Sequence, residues 1–251
     1  MNISGATALV TGANRGIGRH LAAQLVERGA KVYATARRPE SIDVDGVEIL
    51  GLDITDPGGV AAAAQAAGDV DLLVNNAGIG GAALLGDLAG VRATMDVNFW
   101  GTLSMVRAFA PVLARNGGGA IVNIASSASW FVFPGSSAYA VSKAAVWSMS
   151  SALRQELAGQ GTLVTSVHLG AADTDMMKGY DVPKMAPADV ARAALDGVEA
   201  GAFEVVVDEF TAMVKASLSK DPREFDRRFQ QFLNPAQPRE SAEVPRYPAS
   251  P

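Results

Sequence analysis

Two side chains able to exchange a proton stand four residues apart, Tyr139 and Lys143, in the segment SAYAVSKAAVWSMSSALRQELA. On a helix that spacing puts them on one face, one turn apart. A phenol with a reference pKa of about 10 is a poor base at neutral pH. A neighbouring ammonium favours the phenolate and desolvation opposes it, so the pair can act as acid and base only if the lysine lies close. Ser126 follows the apolar run AIVNIA and can donate to an oxygen on which negative charge develops; Ser127 and Ser129 compete for that role. A third feature is the turn Thr11-Gly12-Ala13-Asn14-Arg15-Gly16-Ile17-Gly18 before the helical segment RHLAAQLVERG. Glycines there let the backbone approach an anion, to which the opening helix presents free N–H groups and its positive dipole end. The spacing is G-x-x-x-G-x-G rather than G-x-G-x-x-G, so by itself it describes a tight strand-to-helix turn equally well.

Composition narrows the chemistry. The 251 residues contain no cysteine and two histidines, His20 and His168, so neither a thiolate nor a three-histidine zinc site can form, and no metal is expected. Redox chemistry must therefore use an organic cofactor. A net charge of -5 argues against a nucleic-acid or membrane-surface binder, which needs a basic face. No window reaches the roughly 20 apolar residues of a membrane span, and the N-terminus lacks a signal-peptide pattern, so a cytoplasmic location is expected.

The elements that must position these residues alternate. Strands are predicted at 6–11, 31–36, 47–52, 71–75, 120–125, 163–169 and 204–207, and helices at 16–28, 58–67, 91–115, 137–158, 187–200 and 209–218. Runs such as ALVT, LLVN and AIVNIA are apolar at consecutive positions, as strands of a parallel sheet covered on both faces are. Right-handed crossovers then give a doubly wound, Rossmann-like α/β sheet of about seven strands. One domain is expected over 1–233, with a substrate lid at about 171–187, followed by a Pro-rich tail, 234–251, that is disordered or extended.

Read in order, TGANRGIG, Asp53 after the third strand, Asn75-Asn76-Ala77-Gly78 after the fourth, Ser126 after the fifth, and Tyr139-Ala140-Val141-Ser142-Lys143 resemble the classical short-chain dehydrogenase/reductase family over roughly residues 4 to 207. Each motif falls at the carboxyl end of its strand, the edge where open α/β sheets bind ligands. The resemblance implies hydride transfer between a nicotinamide and a carbonyl or secondary alcohol. Tyr139 would be the general acid or base, and Lys143 would lower its pKa and hold the nicotinamide ribose. Ser126 would polarise the carbonyl, and Asn98 would interrupt a helix and hold a water in the proton relay. The separation of 13 residues between Ser126 and Tyr139 is the family's usual one.

The cofactor-binding residues implied are Gly12, Asn14, Arg15, Gly16, Ile17, Gly18, Arg37, Asp53, Ile54, Asn76, Ala77, Gly78, Tyr139, Lys143, Gly170 and Thr174. Asp53 would meet the adenine amino group and Thr174 the nicotinamide carboxamide. NADP(H) is expected over NAD(H): Ala36 occupies the place of the acidic residue that binds the ribose hydroxyls in NAD sites, and Arg37, with Arg15 opposite, can clamp a 2′-phosphate. Leu169 stands in the family's proline position, which loosens the expected rigidity of the following loop.

Two segments, Trp130 to Phe133 and Asp175 to Met185, should border the substrate, and their aromatic and methionine side chains suggest an apolar ketone or alcohol. Family members commonly dimerise through the helices at 91–115 and 137–158, so a homodimer is expected, with a tetramer as the alternative. A catalytically idle NADP-sensing regulator would share the fold, but it has no need of the set Asn98, Ser126, Tyr139 and Lys143.

Overall fold

The computed structural model describes residues 1–133 and 135–233; the tail expected at 234–251 lies outside the described residues. Its strands are β1 (Thr7–Thr11), β2 (Lys31–Ala36), β3 (Glu48–Gly51), β4 (Leu72–Asn75), β5 (Ala120–Ile124), β6 (Leu163–His168) and β7 (Glu204–Val206). They form one seven-stranded sheet in the order β3-β2-β1-β4-β5-β6-β7. Every pairing is parallel, from Ala8 beside Val32 to Val167 beside Val205. The order reverses between β1 and β4, which opens a crevice at their carboxyl ends.

The consecutive apolar residues of each strand divide between two cores. Ala8, Val10, Leu72, Val74 and Val122 face one side, with Leu21, Leu25, Val190, Leu195 and Val198 packed there. Leu9, Leu73, Ile121 and Val164 face the other, against Met105, Phe109, Leu113 and Leu153. The pleat sends neighbouring side chains to opposite faces, so a strand buried on both sides must be apolar throughout.

The covering helices are α1 (Gly16–Glu27), α2 (Pro57–Ala66), α3 (Leu88–Met95), α4 (Thr102–Arg115), α5 (Ser137–Glu156), α6 (Pro187–Glu199) and α7 (Glu209–Ala216). The helix expected at 91–115 begins earlier, because the Asp87 carboxylate caps the N–H groups of Ala89 and Gly90, and is divided by a π-helical turn, Asp96–Gly101. Such a turn usually marks a functional position, and Asn98 sits inside it.

Residues 1–215 form one compact unit and a second begins at Ala216. The second contains α8 (Pro222–Leu233), beyond the helix expected at 209–218. Pro222 occupies its first turn, where the missing N–H costs nothing. Within α8, Phe225 and Phe229 stack with ring centroids 6.3 Å apart. Among the described residues no helix is long and apolar enough to cross a membrane.

Candidate active site

The glycine turn leads from β1 into α1. Gly12 and Gly16 have φ of +66° and +55°, the left-handed region that glycine enters without strain. A Cβ on Gly18 would stand 2.2 Å from the Gly12 carbonyl oxygen, so the turn closes this tightly only with glycine there. The N-termini of α2 and α3 are capped by Asp56 and Asp87, whereas α1 starts at Arg15 with no side-chain cap and no acidic residue in its first turn. Its first N–H groups therefore remain available to an anion. Ile17 is half-buried and packs on the adjacent core.

The segment after β4 braces this turn. The Thr11 hydroxyl accepts from the N–H groups of Asn76 and Ala77 at 2.9 and 3.0 Å. The Asn76 side-chain amide donates to the carbonyls of Thr11 and Gly12. Both of its hydrogens are thereby spent on the turn, so among the expected cofactor contacts this side chain acts by shaping the cradle. Asn14 donates to Ser41 Oγ at 3.0 Å and ties the turn to the loop that follows β2.

Arg37 lies exposed in that loop. Arg15, expected to face it across a 2′-phosphate, pairs at the surface with Asp175 at 2.9 Å. Asp53 is half-buried, and Thr55 contacts its Oδ1 through both N–H and hydroxyl. Those bonds, with the charge of Arg37 in support, hold the Asp53 carboxyl below its usual range. Ile54 is buried, and its side chain fills the space a Cβ on Gly101 would need, 2.8 Å away.

The proton-handling groups meet at the ends of β5 and α5. Lys143 is 6% exposed, and its ammonium donates to the Ile124 carbonyl at 2.7 Å. The same Nζ lies 5.6 Å from the centre of the Tyr139 ring. Burial pulls the Lys143 pKa down to about 8. Burial pushes the Tyr139 phenol up, and hydrogen bonding with the Ser126 side chain pulls it back. The Ser126 hydroxyl also accepts from the Ala128 N–H at 3.1 Å. The spacing to Tyr139 favours Ser126 over its neighbours Ser127 and Ser129, and the structure places the three differently. Ser129 donates to the Lys143 carbonyl, and the Ser127 hydroxyl is buried without a partner.

Asn98 serves the site through the backbone of the neighbouring loop. Its side chain accepts from Ile79 N–H, donates to Ile79 O and donates to Ser142 Oγ, all within 3.0 Å. It thus joins the chain just after Gly78, the π-turn and α5. Gly78 lies between the groups it connects: a Cβ there would come 3.2 Å from Asn98 Oδ1 and 3.7 Å from Lys143 Nζ.

After β6, Thr174 reaches the start of α1, where a Cβ on Gly16 would lie 3.1 Å from its methyl group. The loop is closed at its base by two backbone bonds, Asp173 N–H to Met185 O and Met185 N–H to Ala171 O. Gly170 N–H donates to Asp208 Oδ2 at 2.7 Å. Asp208 was missed in the sequence, 38 residues away; it restrains the chain just where Leu169 replaces a proline. Gly81 was missed too. A Cβ there would stand 2.4 Å from the Tyr139 nitrogen, so the loop can lie against the first turn of α5 only as glycine.

Comparison with known proteins places the chain in a family. The family described as short chain dehydrogenase matches residues 6–183. The chain is 33% identical over 218 residues to 1-deoxy-11-beta-hydroxypentalenate dehydrogenase of Streptomyces avermitilis, covering 80% of this chain and 81% of that protein. A short chain dehydrogenase from Burkholderia cenocepacia, solved in complex with NADP, superposes with a TM-score of 0.86 at 39% identity, over 91% of this chain and 98% of that one. A 3-ketoacyl-(acyl-carrier-protein) reductase from Brucella melitensis, complexed with NADH, superposes at 0.75 with 29% identity, over 81% and 98%.

Proposed function

Because the chain belongs to the short-chain dehydrogenase/reductase family of oxidoreductases, we propose that it transfers a hydride between NADP(H) and the carbonyl or secondary-alcohol carbon of an apolar substrate. The observation that carries this reading is the cluster of Ser126, Tyr139 and a buried Lys143 at the carboxyl edge of the sheet.

The residues present fit a dinucleotide. The uncapped start of α1 and the glycine turn would hold the diphosphate, Asp53 the adenine amino group, and Arg37 a 2′-phosphate. Ala77 and Gly78 would border the ribose, and Gly170 and Thr174 the nicotinamide. The bound dinucleotide supplies or accepts the hydride. In reduction Tyr139 gives its phenolic proton to the substrate oxygen, and in oxidation the phenolate takes it back. The Lys143 ammonium stabilises that phenolate, and its hydrogen bond to the Ile124 carbonyl fixes it beside the ring. Ser126 donates to the oxygen as charge develops on it. NADP in the Burkholderia complex, with Ala36 and Arg37 at the end of β2, supports the choice of NADP(H).

An apolar substrate is supported by the aromatic side chains after Ser126, where Phe131 packs edge-on against Phe133 at 4.6 Å and Phe210 at 6.3 Å. A homodimer through α4 and α5 belongs to the same reading, supported by the exposure of Val141 on α5 and of Trp100 just before α4.

The test is NADPH oxidation with a panel of apolar ketones, quinones and acyl thioesters. At least one carbonyl should turn over, and Tyr139→Phe should lower kcat by roughly a hundredfold or more, in keeping with the loss of a general acid, while NADPH still binds. Near-normal turnover in that variant refutes the mechanism.

A further inference from the structure

His168, the last residue of β6, is 0% exposed, and its ring touches the serine of the proposed site. Nδ1 lies 3.1 Å from the Ser126 carbonyl oxygen and Nε2 lies 3.1 Å from Ser166 Oγ. A carbonyl can only accept, so Nδ1 carries the hydrogen and Nε2 accepts from the Ser166 hydroxyl. Both nitrogens are thereby committed. Burial takes the imidazole pKa down to about 4, so the ring remains neutral near pH 7.

The ring is also held in plane. Trp130 stacks on it with centroids 4.1 Å apart and 13° between planes, and Trp147 meets Trp130 edge-on at 5.9 Å. Trp147 Nε1 donates to Glu204 at 2.7 Å, and Lys215 pairs with the same carboxylate and lies over the Trp130 ring. The charged groups around the histidine are Glu204 on β7, Lys215 on α7 and Lys143 on α5. A leucine would fill this space without the desolvation cost of an imidazole, so its two hydrogen bonds are the feature to be explained.

Ser126 itself has extended backbone, φ −170° and ψ 163°, at the point where β5 ends. Its neighbour in space, Leu169, lacks the proline ring that the family carries there. We infer that His168 is a positioning residue: its Nδ1–H clamps the Ser126 peptide from behind and keeps the serine hydroxyl beside Tyr139. The inference rests on the carbonyl-reductase reading given above.

Four purified full-length variants test it: His168→Phe, His168→Asn, Ser126→Ala and the double variant Ser126→Ala with His168→Phe. Phenylalanine keeps the stack on Trp130 and removes both nitrogens, whereas asparagine restores an N–H donor close to the position of Nδ1. His168→Phe should lower kcat roughly tenfold, the loss of about one well-placed hydrogen bond's worth of orientation, with NADPH affinity unchanged. His168→Asn should recover most of that loss. On the Ser126→Ala background the same phenylalanine should cost less than about twofold, because coupled residues are not additive. Wild-type kcat in a folded His168→Phe protein overturns the inference, as does an equal loss in the presence and absence of the serine hydroxyl.

If His168→Phe does not fold, His168→Asn and His168→Gln decide the matter. Glutamine carries its amide further out, so kcat equal to that of asparagine overturns the inference. If the wild type reduces no carbonyl, it is the proposed reaction that fails, and amide exchange reads the clamp directly. The Ser127 and Ala128 N–H groups, bonded to Leu169 O and Ser126 Oγ, should exchange at nearly the wild-type rate in His168→Asn and faster in His168→Gln, where the donor is misplaced; exchange in His168→Gln no faster than in His168→Asn overturns it.

Discussion

Replacing Lys143 by methionine should destroy activity and make the protein more stable at neutral pH. The ammonium is buried, and its pKa falls from 10.5 in the unfolded chain to about 8 in the fold. Between those values the unfolded chain binds the proton and the folded protein does not, so wild-type stability rises with pH across that window. The linkage relation makes the cost of holding the charge about 3 kcal/mol at pH 7 and about 1 kcal/mol at pH 10. Methionine keeps most of the side-chain volume but leaves the Ile124 carbonyl without its donor, which returns about 1 kcal/mol of the gain.

The variant should therefore be about 2 kcal/mol more stable than wild type at pH 7. That advantage should disappear as pH approaches 10. Urea denaturation of both proteins at pH 7, 8.5 and 9.5 measures this, beside NADPH oxidation with a carbonyl substrate. A difference in stability that does not change with pH refutes the reasoning, because the charge would then not be buried as the structure has it.

Arg37→Ala should weaken NADPH binding roughly tenfold or more while leaving NADH binding unchanged, since a charge-assisted bond to a phosphate contributes about 1.5 kcal/mol or more; titration with both dinucleotides measures it, and an unchanged NADPH preference removes Arg37 from the phosphate site. Gly81→Ala should destabilise the fold by about 1–3 kcal/mol, typical of overpacking, because its Cβ would stand 2.4 Å from the Tyr139 nitrogen and 2.9 Å from its Cα. The neighbouring atoms are backbone of α5 and cannot rotate away, so turnover should fall together with the melting temperature. Wild-type values for both would show that the loop at Gly81 does not press on α5.

The Rossmann-like fold was legible in the sequence because each of its signals is local. Consecutive apolar residues in β1, β4 and β5 record burial on both faces, and the glycine turn records a strand running directly into a helix. Tyr139 and Lys143 were legible for the same reason, since one helical turn fixes their spacing. Local signals failed where a contact crosses the fold. The π-turn at Asp96–Gly101 accompanies bonds between Asn98 and Ile79, 19 residues away.

Thus the sequence by itself determined the order of strands and helices, the glycine turn, and a tyrosine and lysine on one helix face. The tertiary structure showed how the neighbouring serines are placed, with Ser129 bonded to the Lys143 carbonyl and the Ser127 hydroxyl buried without a partner, and it paired Arg15 with Asp175. It also revealed Asp208 behind Gly170 and His168 behind Ser126. Those partners lie 38 and 42 residues apart in the chain. No periodicity relates residues at such distances; strand order and burial bring them together.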